Sequence, residues 1–308
     1  PGVPSDQPAL VDAQRHGVEI VGELGFAASF VTAPIIGVTG TNGKSTVTSF
    51  AAQFAQEAGL TVFAGGNLGN PLSNAVLSEQ PYELLVVEVS SYQLEHPGRF
   101  HPNAAVVLNL TPDHLKRHGD MTTYGRTKCR IFGEMTARDV AVLPIDNEAL
   151  QVAADGTGGQ RLAIGAHPGV LLHGDTATLA LPDNRCAQLD LGRLQVPGVH
   201  NRLNAAVAAL LVFAVGVSAD CLQRGVPRLE GLAHRMQPLG EHDGIRWIND
   251  SKATNVAATE AALRGMRTPV VLLLGGQAKA GDSFESLGPL LHRHRGVLVF
   301  GASGPAIA

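Results

Sequence analysis

The fold is decided by residues 36–46, a short stretch with the sequence IGVTGTNGKST. Its apolar start predicts a buried strand, and Lys44-Ser45-Thr46 opens a helical pattern. The glycines between them let backbone N–H groups approach phosphate oxygens, and the helix N-terminus adds a positive dipole end. The strict G-x-x-x-x-G-K-[ST] pattern is not met, because Val38 stands at its first position. The stretch predicts a phosphate-binding loop, with a glycine-rich turn that carries a chance Lys-Ser pair as the alternative.

Around this loop, short apolar runs alternate with helix-length amphipathic stretches. The predicted strands are Val18 to Val21, Pro34 to Val38, Thr61 to Ala64, Leu84 to Val89, Ala104 to Leu108 and Val140 to Pro144. The predicted helices are Ser45 to Glu57, Ser73 to Leu77 and Tyr124 to Thr136. Strand and helix in alternation favour an α/β fold with a mostly parallel sheet that helices cover on both faces.

The pattern changes twice further along the chain. Between Gln160 and Leu194, short β-like pieces separated by Gly, Pro and Asp predict a small antiparallel patch. A helix is expected from Asn201 to Ala214, and after Gly231 a second α/β pattern begins. Its predicted strands and helices are Ile245 to Ile248, Asn255 to Leu263, Val270 to Leu274, Phe284 to His292 and Val297 to Phe300. We therefore expect a partial Rossmann-like α/β domain after a boundary near residues 230–232.

Composition excludes several classes of protein. Of the 308 residues, 44% are hydrophobic and 16% are charged, which indicates a packed globular protein and not a disordered one. The net charge of −4 argues against a strongly basic nucleic-acid-binding surface. No apolar run has the length of a membrane helix. Cys129, Cys186 and Cys221 are too far apart for a zinc knuckle, and their odd number favours a reducing cytoplasm.

Two polar residues stand at or near predicted strand ends, where ligands bind in open α/β sheets, and a third candidate lies on a predicted helix. Glu88 lies late in an apolar strand and is a candidate Mg²⁺ ligand, unless it points into solvent. His114 follows the next strand and is a candidate metal or substrate ligand, although a structural histidine is the alternative. Lys128 lies on a predicted helix and, considered alone, is typical of a solvated helix lysine.

Taken together, the motifs resemble those of the Mur ligases, the ATP-dependent amide-bond ligases of peptidoglycan precursor synthesis. The first group is GTNGKST at 40–46, GNLG at 66–69, EVSSYQLE at 88–95, NLTPDH at 109–114 and HNRLNAA at 200–206. The second is AHR at 233–235, WINDSKATN at 247–255 and LGGQAK at 274–279. The NDSKATN string after a Trp-Ile strand resembles the members that add glutamate to UDP-N-acetylmuramoyl-L-alanine. The resemblance covers nearly the whole chain.

The resemblance implies a role for each matching residue. Those implied to bind ATP are Gly40, Thr41, Asn42, Gly43, Lys44, Ser45, Thr46, Asn67, Asn201, Asn204, Arg235 and Asp250. Those implied to ligate two Mg²⁺ ions are Ser45, Glu88, His114 and Lys128, the last as a carbamate formed with CO₂. Those implied to face the substrates are His114, Lys252, Thr254 and Lys279. The catalytic set is Lys44, Glu88, His114, Lys128, Lys252 and Lys279. For Asn201 and Asn204 the alternative is helix N-capping, and for Arg235 it is a surface ion pair.

The implied reaction has two steps and needs no covalent nucleophile from the protein. The substrate carboxylate attacks the γ-phosphate of ATP to give an acyl phosphate and ADP. The amine of glutamate, expected to be the D isomer, then attacks the acyl carbon and expels phosphate. The implied protein is a cytoplasmic bacterial monomer that binds neither nucleic acid nor membrane. The alternatives are a Mur ligase for another amino acid, folylpolyglutamate synthetase, and a nucleotide-binding module without ligase activity.

The resemblance also implies a domain division. Residues 1–22 correspond to the end of an N-terminal UDP-binding domain, 23–231 to the central ATP-binding domain, and 232–308 to an incomplete C-terminal glutamate-binding domain. Both ends of the sequence lack parts that the family carries. A chain of these 308 residues is therefore expected to bind ATP weakly and not to ligate when it is alone.

Overall fold

A computed structural model describes residues 2–4, 6–266, 268–278 and 283–308 of the chain. They divide into two compact units. The first comprises Pro1–Gln195 and Leu203–Leu229, and the second comprises Val196–Arg202 and Glu230–Ala308. The division predicted from the sequence, at residues 22 and 231, stays a prediction.

The first unit is built around one mixed sheet. Its strands are β1 (Ile35–Thr39), β2 (Val62–Gly66), β3 (Leu84–Glu88), β4 (Ala104–Val107), β5 (Val140–Pro144), β6 (Gln160–Ile164), β7 (Gly169–His173), β8 (Thr176–Ala180) and β9 (Cys186–Asp190). The helices along residues 8–225 are α1 (Pro8–Arg15), α2 (Glu23–Ala28), α3 (Lys44–Glu57), α4 (Leu72–Leu77), α5 (Leu115–His118), α6 (Met121–Cys129), α7 (Glu148–Ala153), α8 (Val199–Ala214) and α9 (Ala219–Gly225). Short 3₁₀ helices lie at Gln93–Glu95, Arg130–Phe132 and Val226–Arg228.

The strand order in this sheet is β2-β3-β1-β4-β5-β6-β7-β8-β9. In the sheet order, the strands from β2 through β7 pair in parallel, and β8 and β9 extend the same sheet by antiparallel pairing. The predicted antiparallel patch is therefore continuous with the main sheet. Since β1 lies between β3 and β4, the carboxyl ends of these three strands emerge side by side.

Helices bury both faces of the parallel part of the sheet. All residues of β1, β3 and β5 are buried, as expected for strands covered on two sides. Helix α3 contributes Phe50 and Phe54, which are both fully buried. A core cluster on the sheet unites Phe100, Ile131 and Phe132 with the odd-numbered strand residues Ile35, Leu85 and Val87 and with other apolar side chains.

The second unit contains two small two-stranded sheets. Strands β10 (Gln237–His242) and β11 (Ile245–Asn249) pair antiparallel, and β12 (Val271–Gly275) and β13 (Gly296–Phe300) pair in parallel. Its helices are α10 (Val256–Gly265), a 3₁₀ turn at Glu285–Leu287, α11 (Gly288–Leu291) and α12 (Gly304–Ile307). Leu263, Leu287 and Leu290 form its buried cluster. The parallel pair with its helices agrees with the partial Rossmann-like pattern predicted from the sequence.

The differences between the predicted and the observed elements include the following three. Val18 to Val21 is not a strand, since no neighbouring strand pairs with it among the described residues. The helix predicted from Tyr124 to Thr136 begins earlier, at Met121, because Asp120 caps it by accepting a hydrogen bond from the Thr123 N–H, and it ends at Cys129. Strand β10 was not predicted, because Pro238 and Gly240 interrupt its pattern.

None of the helices in the described ranges combines the length and the apolar character that crossing a bilayer requires.

A buried carboxylate joins the amino ends of β4 and β5. Asp139 is 3% exposed, and its Oδ2 accepts hydrogen bonds from the Thr136 N–H at 2.7 Å and the Thr136 hydroxyl at 2.8 Å. His101 Nε2 lies 2.8 Å from the same oxygen. Burial opposes ionisation, but the hydrogen bonds from Thr136 and His101 outweigh it and lower the pKa of Asp139.

We expect Asp139→Asn to lower the free energy of unfolding by about 2 kcal/mol at pH 7, because the amide cannot accept these bonds as a carboxylate does. A carboxyl group with a lowered pKa stabilises the fold above its unfolded pKa and loses that contribution as the pH falls through its folded pKa. The difference between wild type and variant should therefore shrink below about pH 4. Urea unfolding at several pH values measures it, with Asp146→Asn, an exposed aspartate after β5, as the control. A difference that does not change with pH would contradict the assignment.

Candidate active site

The loop between β1 and α3 turns on two glycines. Gly40 has φ 145° and Gly43 has φ 84°, backbone conformations that L side chains rarely adopt. A Cβ on Gly40 would lie 2.9 Å from Leu108 Cβ, and one on Gly43 would lie 2.9 Å from Asn204 Oδ1. Gly43 is the N-cap of α3, so the backbone N–H groups of the first helical turn face the loop. Lys44 Nζ donates to the Thr41 carbonyl at 2.9 Å.

One side chain from the end of β4 holds this loop in shape. Asn109 Oδ1 accepts hydrogen bonds from the N–H groups of Thr41 at 3.1 Å and Asn42 at 2.9 Å. Its Nδ2 donates to the Asn42 carbonyl at 3.0 Å. The Thr41 hydroxyl adds hydrogen bonds to the backbone of Thr111, at 3.1 Å and 3.2 Å. The loop is thus fixed to the neighbouring strand by side-chain amide and hydroxyl groups.

Glu88 lies at the end of β3 and is 2% exposed, so it does not point into solvent. Its Oε1 accepts a hydrogen bond from Asn67 Nδ2 at 2.7 Å. Its Oε2 is buried without a hydrogen-bond partner among the residues that the structure describes. An unpaired buried carboxylate oxygen is costly unless a cation binds it. Together with the hydroxyl of Ser45 and the phosphates of a nucleotide, it makes the oxygen-rich set that Mg²⁺ takes, so these residues fit the ion.

Lys128 is 1% exposed, so the interpretation as a solvated helix lysine is wrong. Its Nζ donates to the Gly40 carbonyl at 2.8 Å and lies 4.4 Å from the centroid of the Tyr124 ring. Burial and the positive charge of Lys44 lower the pKa of Lys128 well below its usual value. Both effects disfavour the charged form of the Lys128 amine beside the phosphate loop.

Tyr124 contacts the Lys128 amine, the phosphate loop and the buried His118. Its hydroxyl lies 3.4 Å from Thr41 Oγ1, and burial raises its pKa to about 12. The ring of His118 stacks on it with centroids 5.0 Å apart. His118 Nε2 lies 2.9 Å from Ser91 Oγ, and burial lowers its pKa.

His114 lies at the rim of the same site, before the first residue of α5. It has φ 55°, and its side chain is 38% exposed. Its Nδ1 is 3.4 Å from the Tyr92 hydroxyl, and its Nε2 is 3.6 Å from Asp113 Oδ2. A cavity of about 420 Å³ lies between these groups. Its lining includes Lys44, Asn67, Ser90, Gln93, His114 and Lys128.

The structure therefore brings one group of predicted residues together in the first unit. That group is Gly40, Thr41, Asn42, Gly43, Lys44, Ser45, Thr46, Asn67, Glu88, His114, Lys128 and Asn204. Asn204 lies inside α8 and does not cap it, so N-capping is excluded for this residue.

The other predicted residues belong to the second unit. Asn201 is also interior to α8, and its Nδ2 donates to the Pro197 carbonyl at 2.6 Å. Asp250 accepts a hydrogen bond from the Met236 N–H at 3.0 Å, and burial raises its pKa. Lys252 and Thr254 lie in the exposed loop between β11 and α10.

Arg235 and Lys279 are the two remaining residues predicted from the sequence. Arg235 lies just before β10, and its N–H donates to the Leu232 carbonyl at 3.3 Å. Lys279 lies outside the described residues.

Two residues that shape the site were not assigned a role from the sequence. Asn109 and Tyr124 each touch the phosphate loop from other elements. Asn109 follows an apolar strand, the same signal that pointed to Glu88, and could have been found by it. Tyr124 carries no such local signal, because its contact with Thr41 joins residues 83 positions apart.

The chain matches the model of the Mur ligase middle domain over residues 38–212. The UDP-N-acetylmuramoylalanine--D-glutamate ligase of Pelotomaculum thermopropionicum is 37% identical over 312 residues, which covers 100% of this chain and 69% of that protein. The protein of the same name from Anaeromyxobacter dehalogenans is 39% identical over 326 residues, covering 100% of this chain and 70% of its own length.

Solved structures share the fold at low identity. The crystal structure of MurF ligase from Thermotoga maritima in complex with ADP has a TM-score of 0.70 and 18% identity, and covers 92% of this chain and 70% of its own. The apo form of FPGS from L. casei has a TM-score of 0.61 and 15% identity. The match covers 90% of this chain and 80% of the FPGS chain. At these identities the likeness concerns the fold alone.

We expect Asn109→Ala to weaken the binding of Mg²⁺-ADP about tenfold, because three hydrogen bonds that shape the phosphate loop are lost. Titration calorimetry on the purified protein measures it. Asn74→Ala is the matched control, since Asn74 is an exposed residue of α4 whose amide donates a local hydrogen bond, to Asn70 before the helix. Equal affinities in both variants would show that the loop keeps its shape without Asn109.

Proposed function

The chain belongs to the Mur ligase family, and from that premise we propose that it is an ATP-dependent ligase that joins D-glutamate to UDP-N-acetylmuramoyl-L-alanine. The observation that carries the proposal is the identity of 33–39%, along 91–100% of the chain, to proteins that all bear the name of that ligase. The reaction passes through an acyl phosphate. The carboxylate of the acceptor attacks the γ-phosphate of ATP, and the amine of glutamate then displaces phosphate.

The phosphate loop supplies the binding site for the nucleotide in this proposal. The first turn of α3 directs N–H groups at the phosphates, and Lys44 leaves the Thr41 carbonyl to bind the terminal phosphates. Asn67 orients Glu88 through the 2.7 Å hydrogen bond to Oε1, which leaves Oε2 for a cation. Ser45 and Glu88 hold one Mg²⁺ ion, whose charge offsets the repulsion between carboxylate and triphosphate when it is bound.

We propose that Lys128 acts as a carbamate and that it holds a second Mg²⁺ ion together with His114. The neutral Nζ attacks CO₂, a C–N bond forms, and one proton leaves to water, so that an amine becomes an anionic oxygen ligand. The support is its burial, its lowered pKa and its position beside Gly40. A hard cation accepts such an oxygen ligand.

The second unit carries the remaining proposed roles. Asn201, Arg235 and Asp250 hold the adenosine and phosphates of ATP in this proposal. In the first unit, Asn204 is proposed to bind the nucleotide beside Gly43. Lys252, Thr254 and Lys279 face the acyl phosphate and glutamate. Asp250 accepts the hydrogen bond from Met236 through Oδ1, which orients its carboxyl group. These assignments rest on the motifs of the sequence.

The alternatives are not favoured. A likeness to FPGS at 15% identity concerns the fold alone, whereas the relatives with the D-glutamate ligase name match at 33–39%. The proposal includes a monomer in the bacterial cytoplasm, where three free cysteines are stable as thiols.

The full-length gene product should release phosphate only when ATP, UDP-N-acetylmuramoyl-L-alanine and D-glutamate are all present. A coupled phosphate assay with a panel of amino acids measures this. Lys44→Ala should lower the rate by about 100-fold or more because the terminal phosphates lose their cation. Lys116→Ala, which removes an exposed lysine of α5, should keep it.

A preference for another amino acid would contradict the substrate assignment.

Lys128 should give a single carbamate signal in ¹³C NMR after incubation with ¹³C-bicarbonate, because burial and the charge of Lys44 lower the pKa of this amine and so favour its reactive neutral form. Lys128→Met should remove that signal and the ligase activity. Lys116→Met should leave both unchanged, because that side chain is exposed. A signal that survives in Lys128→Met would assign the carbamate to another lysine.

A further inference from the structure

Arg117 makes an unusual set of contacts at the outer wall of the cavity. Its Nε and Nη2 donate to the two carboxylate oxygens of Glu95 at 2.9 Å and 2.6 Å. Its guanidinium lies 5.6 Å from the centroid of the Tyr92 ring. The same Nη2 donates to the backbone carbonyl of Val3 at 2.8 Å, across 114 positions of sequence. One side chain therefore joins the first described residues of the chain to the segment after β3.

The segment held by Arg117 has few other ties. Helix α1 contains no buried residue. Within residues 2–4 and 6–15, as far as the structure describes them, the Val3 carbonyl is the group that bonds to a residue beyond position 18. Further along the chain, the Gly22 N–H donates to the His96 carbonyl at 3.2 Å. Arg117 is thus the polar anchor of residues 2–4.

These residues matter because Gly2 lines the cavity that contains Lys44, His114 and Lys128. The contacts of Arg117 are with residues 3, 92 and 95, whereas the phosphate loop occupies residues 40–46. Since Arg117 contacts both Val3, the neighbour of Gly2, and Tyr92, another residue of the lining, Gly2 belongs to the Tyr92 side of the cavity wall. On the proposed function, this is the part open to the substrate that carries the reacting carboxylate.

We propose that Arg117 is a positioning residue, which fixes residues 2–4 as a wall of the cavity and thereby sets the affinity for the carboxylate-bearing substrate. The geometry requires arginine. A planar guanidinium can donate to a carboxylate with two nitrogens and to a carbonyl at once, whereas an ammonium group is a point charge on a flexible stem. The second half of this inference rests on the proposed function.

The test compares Arg117→Ala and Arg117→Lys with Arg126→Ala, which removes the same charge from the exposed face of α6. The first measurement needs no substrate. Hydrogen–deuterium exchange of peptides that cover residues 2–16 should be faster in both Arg117 variants and unchanged in Arg126→Ala. Unchanged exchange in the Arg117 variants would contradict the inference that Arg117 anchors residues 2–4.

The second measurement is steady-state kinetics. In Arg117→Ala the KM for UDP-N-acetylmuramoyl-L-alanine should rise about tenfold, because one charged hydrogen bond no longer holds the wall. The KM for ATP and kcat should stay within about twofold, since binding and not chemistry is affected. Arg117→Lys should stay folded and show the same pattern, with a raised KM for UDP-N-acetylmuramoyl-L-alanine and little change in the KM for ATP or in kcat. A parallel rise in both KM values, or no rise, would overturn the proposal.

The two measurements separate this inference from the function on which it rests. If the full-length wild-type gene product releases no phosphate with these substrates, the proposed function fails. The exchange comparison still decides whether Arg117 holds residues 2–4.

Discussion

The hydrogen bonds of the Asn109 side chain to the backbone of Thr41 and Asn42 are the interaction on which the site depends. A loop of glycines and short polar residues has many conformations in isolation, and a phosphate site needs one of them. The amide of Asn109 satisfies two N–H groups and one carbonyl of that loop together. Because β4 lies next to β1 in the sheet, the clamp is supplied by the neighbouring strand and not by the loop itself.

The burial of ionisable side chains around this loop also depends on the sheet. Glu88 and Lys128 are both almost fully buried, although burial of an ionisable group is unfavourable without a partner. Asn67, which lines the cavity together with Lys128, satisfies one oxygen of Glu88, and the Gly40 carbonyl accepts a hydrogen bond from Lys128. The second oxygen of Glu88 fits a cation, and burial lowers the pKa of Lys128.

The strands were predictable because each residue of β1, β3 and β5 is buried on both faces of the sheet, which selects runs of valine, isoleucine and leucine. Val18 to Val21 has the same composition but finds no pairing strand in the described residues, and backbone pairing is not a local property. Strand β10 was missed because an exposed hairpin strand tolerates Pro238 and Gly240, which interrupt its pattern.

Local pattern was sufficient for the glycine-rich turn, the helix that follows it and the polar residues at strand ends, because each depends on neighbours within a few positions. The motifs also carried the family resemblance. Contacts between distant positions required the folded chain: Asn109 with Thr41 over 68 positions, Lys128 with Gly40 over 88, and Arg117 with Val3 over 114. A helical lysine is solvated by default, whereas Lys128 is buried because α6 places it against Gly40 of the phosphate loop.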